Sequence, residues 1–329
     1  MFSMNDFGNR LYSGKTSFPF VQRRRLWFTL AIILVLGSVL VPFLRQVQFS
    51  IEFTGGSQFV VQQPATLSQD AATDAVASVA PDATSKVVIV SNRDVRVQTS
   101  QMSADDTQQV AKALADAYDV DVDEVTSSFI GPAWGENVTK QSLWGLAIFL
   151  ALTFIILAIY FRTWKMSAAA IVGLLDVLVI TIGIYALAGF EISPAAVIGF
   201  LTILAYSLYD TTVVFDKIRE NTTEDAGQTT RTFGESVNLA VNQTLVRSIN
   251  TSIVAALPVG AILFIGAFWL GADTLSDISL SIFVGIIVAT YSTLFVAAPL
   301  YAFFRQNEAG IRAHDKKVLK ARERVSEDA

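Results

Sequence analysis

The chain predicts a polytopic α-helical membrane protein with six transmembrane helices and one α+β domain of ferredoxin-like kind between the first two. Three observations lead there. Six apolar blocks are long enough to cross a bilayer, Lys and Arg are placed very unevenly in the segments between them, and one long polar insert alternates β-rich and helical stretches. Of 329 residues, 52% are hydrophobic and only 16% are charged, and the mean hydropathy is +0.49. Soluble domains carry about 25% charged residues, so this balance belongs to another class.

The blocks are 26–44, 143–161, 168–189, 195–215, 248–270 and 275–304. A helix needs about 20 residues, each rising about 1.5 Å, to cross about 30 Å of hydrocarbon. The last block is long enough to tilt or to leave its ends in the headgroup layer. Helices are required, because no water is present in the hydrocarbon to satisfy an open backbone. Arg23, Arg24 and Arg25 precede the first block as they would a secretion signal. That block nevertheless runs for about 19 apolar residues without a small-residue cleavage site after it, which predicts a retained span.

Loop charge predicts the orientation. With the N-terminal segment 1–25 in the cytoplasm, cytoplasmic segments hold 17 of the 24 basic residues. These are Arg10, Lys15 and the Arg23–Arg25 triplet, then Arg162 and Lys165, then Lys217, Arg219 and Arg231 in a loop at 216–245, and seven in a basic tail at 305–329. Six lie in the 45–141 segment on the opposite side, and Arg247 sits at a membrane boundary. Both termini are therefore expected in the cytoplasm and 45–141 outside it.

That segment has 13 acidic residues against 6 basic ones, which excludes a surface for polyanions, nucleic acid included. Strands are predicted at 49–53, 58–61, 86–90, 95–98 and 122–129. Helices are predicted at 68–79 and 103–117, each opened by a serine able to cap it. The order ββαββαβ suits a small sheet with helices on one face. Gly55-Gly56 marks a tight turn. The chain has no cysteine, so no disulfide braces this domain. No phosphate-binding glycine loop or dinucleotide fingerprint is found. The single histidine, His314, lies in the charged tail, where solvation is its ordinary state, so neither a metal nor a cofactor is expected.

Chemistry is expected from the few polar residues inside the spans, since these are expensive in hydrocarbon. Asp176 lies in the third helix and Asp210 in the fourth. Ser207, Asp210, Thr211 and Val214 share one helical stripe, and Gln243, Arg247, Asn250 and Thr251 form another in the region of the fifth. Asp210 is six residues before Asp216, where the fourth helix is predicted to end, hence about 9 Å inside the membrane. Arg247 approaches from the same side, so the carboxylate and guanidinium are expected to meet. Such a pair has two readings: a static tie between helices, or a proton carrier whose environment changes as the helices move. No histidine is present in the spans to relay a proton. Pro258 is expected to bend the fifth helix, and small residues such as Gly173, Gly199 and Gly285 allow close helix packing.

Four stretches carry a resemblance. Ser50-Ile51-Glu52-Phe53-Thr54-Gly55-Gly56 resembles the D-F-T-G-G signature of the SecD/SecF protein-export family, with Glu52 where Asp is common. AYSLYDTTVVFDKIREN at 205–221 is similar to the fourth-helix motif of its SecF branch, including Asp210, Asp216, Arg219, Glu220 and Asn221. Asn242-Gln243-Thr244-Leu245-Val246-Arg247-Ser248 resembles the lead into helix five, and Ile130-Gly131-Pro132 the element before helix two. Together they span about residues 24 to 305. One departure is Leu175, where a His-Asp pair is usual; here only Asp176 remains.

The resemblance implies half of an RND-type bundle of twelve helices, completed by a SecD-like chain in the bacterial inner membrane. It implies a non-enzymatic role late in secretion, in which the proton gradient, with no bound cofactor, drives preprotein outward from a SecYEG channel. Asp210 and Arg247 match the family's proton-path positions, with Asp176 a second candidate. A proton-coupled exporter of small molecules or lipids is the alternative, but acting alone it would need both halves in one chain. An intramembrane enzyme lacks a catalytic constellation.

Overall fold

The computed structural model describes residues 4–44, 48–90, 93–224, 230–266 and 273–327. A short helix α1 (Met4–Tyr12) precedes the first long one, α2 (Arg24–Leu44). The inserted domain follows. Beyond it come α6 (Pro132–Phe161), α7 (Trp164–Ala188), α8 (Pro194–Glu224), α9 (Phe233–Ile265) and α10 (Asp273–Tyr291). A π-helical turn at Ser292–Ala297 joins α10 to α11 (Ala298–Arg305), and α12 (Ala309–Glu327) closes the chain. Six of these helices are long and apolar enough to span a membrane, counting α10 to α11 as one. The protein is a polytopic helical membrane protein.

Burial divides the spans into two layers. α7, α8 and the α10–α11 helix bury much of their surface in the bundle, whereas α2, α6 and α9 turn most of their apolar side chains outward, as hydrocarbon solvent permits. Backbone approach at the centre depends on small residues. A methyl group on Gly285 would sit 2.4 Å from Ile203 Cγ1, and one on Gly199 1.8 Å from Ser281 Oγ. These contacts lock α8 against α10.

Two helices run past their predicted ends. α8 continues to Glu224 and α9 begins at Phe233, so most of the predicted loop 216–245 is helix; its residues 225–229, and the predicted end of the fifth span at 267–270, lie outside the described residues. A hydropathy window stops where polar residues begin, yet these polar residues have their own partners. Thr232 and Glu235 form a capping box that starts α9. Asn242 takes the Phe18 amide at 2.7 Å and donates to the Phe18 carbonyl at 3.0 Å, and Asn238 takes the Val21 amide at 3.1 Å. The N-terminal segment is thereby a folded strap, with Leu11, Phe20 and Val21 buried. The basic tail is likewise docked: Arg322 forks onto Glu235 at 2.9 and 2.7 Å, and Asp315 accepts the Phe233 amide at 2.8 Å. Pro258 lies inside an α9 that continues through it.

The inserted domain opens with β1 (Gln48–Phe49) and a helical turn α3 (Ile51–Thr54). Then come β2 (Gly56–Val61), α4 (Gln69–Val79), β3 (Ser85–Val90), β4 (Asp94–Thr99), α5 (Ala104–Tyr118) and β5 (Val125–Ile130). The last four strands form an antiparallel sheet in the order β3-β4-β2-β5. Alternate residues Phe59 and Val61, with Val95 and Val97 opposite them, meet Val76, Leu114 and Tyr118 of α4 and α5 in one core. Ser68 and Ser103 cap the two helices, and the Tyr118 hydroxyl ties to the Ser68 carbonyl.

The strand expected at 49–53 does not join this sheet. Gln48–Phe49 pairs in parallel with β6 (Glu191–Ile192), and the chain then coils through α3, closed by the Gly55 amide on the Ile51 carbonyl at 2.8 Å. Alternating Phe49, Ile51 and Phe53 reads as a strand, but the partner edge is in the α7–α8 connection. Gly56 explains the glycine pair: its φ is 133°, and a Cβ there would strike the Thr99 carbonyl oxygen at 2.3 Å. The strand expected from 122 begins at Val125, after a 3₁₀ turn at Val122–Glu124.

Glu191 fastens domain to bundle. It receives Gln98 Nε2 at 2.9 Å and lies 3.5 Å from both Arg96 Nη1 and Lys86 Nζ. Burial pushes the Lys86 amine below its usual value, with Glu191 opposing that shift. Beyond the last span, the Arg305 guanidinium bonds Glu308 and holds its carboxyl below the usual range, with Lys165 adding to the effect at 3.0 Å.

The packing at Gly285 makes a direct prediction. Gly285→Leu should lower the melting temperature in detergent by several degrees, because overpacking a tight contact costs about 1–3 kcal/mol. Gly145→Ala, where a Cβ meets nothing within 4 Å, should leave it unchanged or slightly raised.

Candidate functional site

α8 is continuous from Pro194 to Glu224, so Asp210 stands near its middle rather than about 9 Å from an end. Helical spacing turns Ser207, Asp210, Thr211 and Val214 inward together, and all four are buried, Asp210 with 5% of its surface exposed. Among the described residues the carboxylate finds one donor. Ser248 Oγ gives its hydrogen to Asp210 Oδ1 at 2.8 Å, while Oδ2 is buried without a hydrogen-bond partner.

α9 supplies that serine through a stripe of its own. Val241, Leu245, Ser248 and Ser252 recur at i, i+4, i+7 and i+11; the first three are buried, and Ser248 and Ser252 meet partners in α8 and α10. Ser252 donates to the Ser248 carbonyl at 2.8 Å, exchanges a hydrogen bond with Thr290 at 2.5 Å, and receives the Tyr206 hydroxyl at 3.3 Å. Tyr206 precedes Asp210 in α8, so this hydroxyl group extends from the carboxylate toward the end of the bundle that bears the inserted domain. On the other side, Thr211 meets Thr293 at 3.0 Å. These hydroxyls form two separate polar patches beside the carboxylate: Ser252, Tyr206 and Thr290 connect to it only through the backbone of Ser248, and among the described residues the Thr211–Thr293 pair has no hydrogen bond to it.

Arg247 is not where the sequence places it. Among the described residues no hydrogen bond or ion pair joins it to Asp210. It is exposed on the outer side of α9 and reaches the Tyr209 hydroxyl at 3.4 Å. The reason is rotational: consecutive helical residues are about 100° apart, and Ser248, the next residue, takes the inward position. The predicted α9 stripe therefore splits. Asn250 is exposed, Thr251 donates to the Arg247 carbonyl at 2.8 Å, and Gln243 ties Asn221 (2.9 Å) to the Tyr12 carbonyl (3.1 Å) at the strap.

Asp176 forms a second, separate centre. It sits mid-way along α7, 6% exposed, and its Oδ2 has no hydrogen-bond partner among the described residues. One turn earlier, the Gly173 carbonyl accepts Ser292 Oγ at 3.0 Å. Adjacent residues of the π turn thus serve both sides: Ser292 faces α7 and Thr293 faces α8. π turns often mark such sites, since the extra residue re-aims side chains within an otherwise regular helix. Among the described residues Tyr291 OH and Trp27 Nε1 also have no hydrogen-bond partner, and both rings pack on Phe295.

The remaining motif residues are structural ties. Glu52 accepts Ser50 Oγ at 3.0 Å, and the Phe53 carbonyl lies against Gly135 of α6, where a Cβ would be 2.4 Å away. Thr54 donates to the Ser50 carbonyl at 3.3 Å, completing the turn before Gly55 and Gly56. Asp216 accepts the Tyr160 hydroxyl at 3.1 Å, Glu220 pairs with Lys217 at 2.5 Å, and the Arg219 carbonyl accepts Thr223. Ser248, Ser252, Thr290 and Thr293 were missed from the sequence because single hydroxyls are common in membrane helices; the i, i+4 spacing of Ser248 and Ser252 is the signal that could have found two of them.

Comparison with known proteins bears on this geometry. Residues 109–307 match the family described as "Protein export membrane protein SecD/SecF, C-terminal". The protein translocase subunit SecF of Streptomyces coelicolor is 40% identical over 98% of this chain and 86% of its own length. That of Mycobacterium tuberculosis is 36% identical over 97% of this chain and 74% of its own. The crystal structure of SecDF, a translocon-associated membrane protein from Thermus thermophilus, superposes with a TM-score of 0.74 at 28% identity, covering 89% of this chain. This chain spans only 39% of that one.

Ser248→Ala removes the one side-chain donor to Asp210 among the described residues. A loss of about 1–3 kcal/mol in unfolding free energy is expected from denaturant titration in detergent, with Ser248→Thr restoring most of it. Arg247→Met should change stability far less, because that side chain is exposed.

Proposed function

The chain belongs to the SecD/SecF family of protein export membrane proteins, and from that membership we propose that it is the SecF-like half of a proton-driven export device. In this reading it pairs with a SecD-like chain, stands beside a SecYEG channel in the bacterial inner membrane, and helps to draw preprotein outward late in translocation. It carries out no catalysis of its own and needs no bound cofactor beyond the proton gradient. Both termini lie in the cytoplasm, as the distribution of Lys and Arg supports. The inserted domain, with its βαββαβ order, is read as ferredoxin-like and extracytoplasmic.

One observation carries the proposal: a carboxyl group in the middle of a membrane helix, held by Ser248 through one oxygen, the other being buried without a hydrogen-bond partner among the described residues. A proton gained or lost at Oδ2 leaves the Ser248 bond in place. The hydroxyls of Ser252, Tyr206 and Thr290 lie beyond that carboxyl toward the extracytoplasmic end. Arg247 stands one helical position away from facing it. A small rotation of α9 against α8 brings the guanidinium toward the carboxylate after proton release and withdraws it on uptake. In this reading the present arrangement is the withdrawn one. Asp176, lacking any histidine beside it, is the subsidiary titrating group. Glu191 conveys bundle motion to the domain, because it bonds Gln98 of β4 from the α7–α8 connection.

The test is export driven by a proton gradient in inverted membrane vesicles containing the partner chains. Asp210→Asn keeps the size and the Ser248 bond, so normal insertion with loss of the gradient-dependent component is expected. Gradient stimulation equal to wild type would sink the proton role. Arg247→Met should give the same defect at normal expression, whereas Arg247→Lys should retain part of the activity.

A further inference from the structure

The strap ahead of α2, residues 4–23, is tied to three of the elements that surround Asp210. Its main hold is on α9. Asn238 and Asn242 stand one helical turn apart and are almost wholly buried. Asn242 accepts the Phe18 amide at 2.7 Å and donates to the Phe18 carbonyl at 3.0 Å. Asn238 accepts the Val21 amide at 3.1 Å and donates to the Phe18 carbonyl and to Ser17 Oγ, each at 3.0 Å. Gln243 adds α8, accepting from Asn221 Nδ2 at 2.9 Å while donating to the Tyr12 carbonyl at 3.1 Å. At the far end of the strap, Phe20 meets Phe295 of the π turn edge-on, with ring centres 5.2 Å apart.

These ties restrict how α9 can turn. At about 100° per residue, Asn242, Arg247 and Ser248 point to three different sides of the helix, roughly 100–140° from one another. Asn242 holds the strap, Ser248 faces Asp210, and Arg247 is outside. A rotation that carries Arg247 toward Asp210 therefore swings Asn238 and Asn242 away from the strap backbone by the same angle. Hydrogen bonds weaken steeply when misaligned, and a buried amide that loses its partners is costly. The strap cannot simply travel with α9, because Phe20 is buried against the π turn and the chain runs on into α2. Packing by apolar contact alone would tolerate a range of angles; two amides gripping one stretch of backbone select a single one.

We propose that the N-terminal strap is a latch that holds α9 in its present rotation, with Arg247 outside, and that its release permits the turn that brings Arg247 to Asp210. The inference rests on the proton-driven reading, in which α9 turns against α8, and adds the element that controls the turn.

The test uses the full chain with its SecD-like partner in inverted membrane vesicles. The chain has no cysteine, so introduced pairs report cleanly. α8 and α9 are antiparallel, since Ser248 meets Asp210 and Ser252 meets Tyr206, which places Thr251 level with Ser207. Thr251 lies one turn beyond Arg247, so a Ser207→Cys, Thr251→Cys pair should cross-link only after the turn. Adding Asn238→Ala and Asn242→Ala should raise that cross-linking rate about tenfold or more, as the loss of several hydrogen bonds implies. An unchanged rate would overturn the latch.

A second pair, Ser17→Cys with Asn238→Cys, replaces side chains that lie 3.0 Å apart and fastens the strap reversibly, so the proposal stays testable if the alanine variants do not fold. Gradient-driven export should be lost on oxidation and return on reduction. Full stimulation of the oxidised form would overturn the proposal. Absence of the Ser207→Cys, Thr251→Cys cross-link even with the strap loosened and a gradient applied would sink the turning of α9, and the latch with it. Cross-linking that is present but indifferent to the strap would sink the latch alone.

Discussion

A carboxyl group in the middle of a membrane-spanning helix must find its hydrogen bonds inside the protein. For Asp210 the described residues provide one, from Ser248, and much of the inner bundle is arranged so that this bond can form. Ser248 has to face inward, which fixes the rotation of α9 and sends Arg247 to the outer side. α9 has to lie close to α8 and α10, and α8 in turn lies against α10 through Gly199 and Gly285. A single buried polar group thus constrains the rotation and spacing of three helices, because in hydrocarbon an unmet polar atom costs several kcal/mol.

The last span gains its importance from the same constraint. It passes between α7 and α8, the helices that carry the two acids, and a regular α-helix presents neighbouring residues about 100° apart. The π turn at Ser292–Ala297 shifts that geometry so that Ser292 reaches the Gly173 carbonyl while Thr293 reaches Thr211. The two acids are therefore linked through one element, although no hydrogen bond joins them directly among the described residues.

At the two ends of the bundle, polar side chains take over from burial. Asn238 and Asn242 hold the N-terminal strap by its backbone, Arg322 and Asp315 dock the tail helix, and Glu191 gathers Lys86, Arg96 and Gln98 to seat the inserted domain. Each joins segments far apart in the chain. Their amino-acid types gave no hint of these partners, since an asparagine in a loop and one holding a strap look alike in sequence.

Much was legible in the residues alone. Six apolar blocks determined the number of spans, because hydrocarbon thickness sets a minimum length and backbone satisfaction demands a helix. The stripe of Ser207, Asp210, Thr211 and Val214 followed from helical period, which depends on nothing beyond the helix itself. What the sequence could not decide was rotation and register between helices. Helical spacing assigns the polar face of α9 to Gln243, Arg247, Asn250 and Thr251, yet Ser248 and Ser252 face inward, since that choice depends on which neighbours offer partners. The strand at 49–53 became a turn for a similar reason: its pairing edge, Glu191–Ile192, lies about 140 residues away in the chain. Local periodicity is a property of one segment, whereas contact between segments is settled only when all of them pack together.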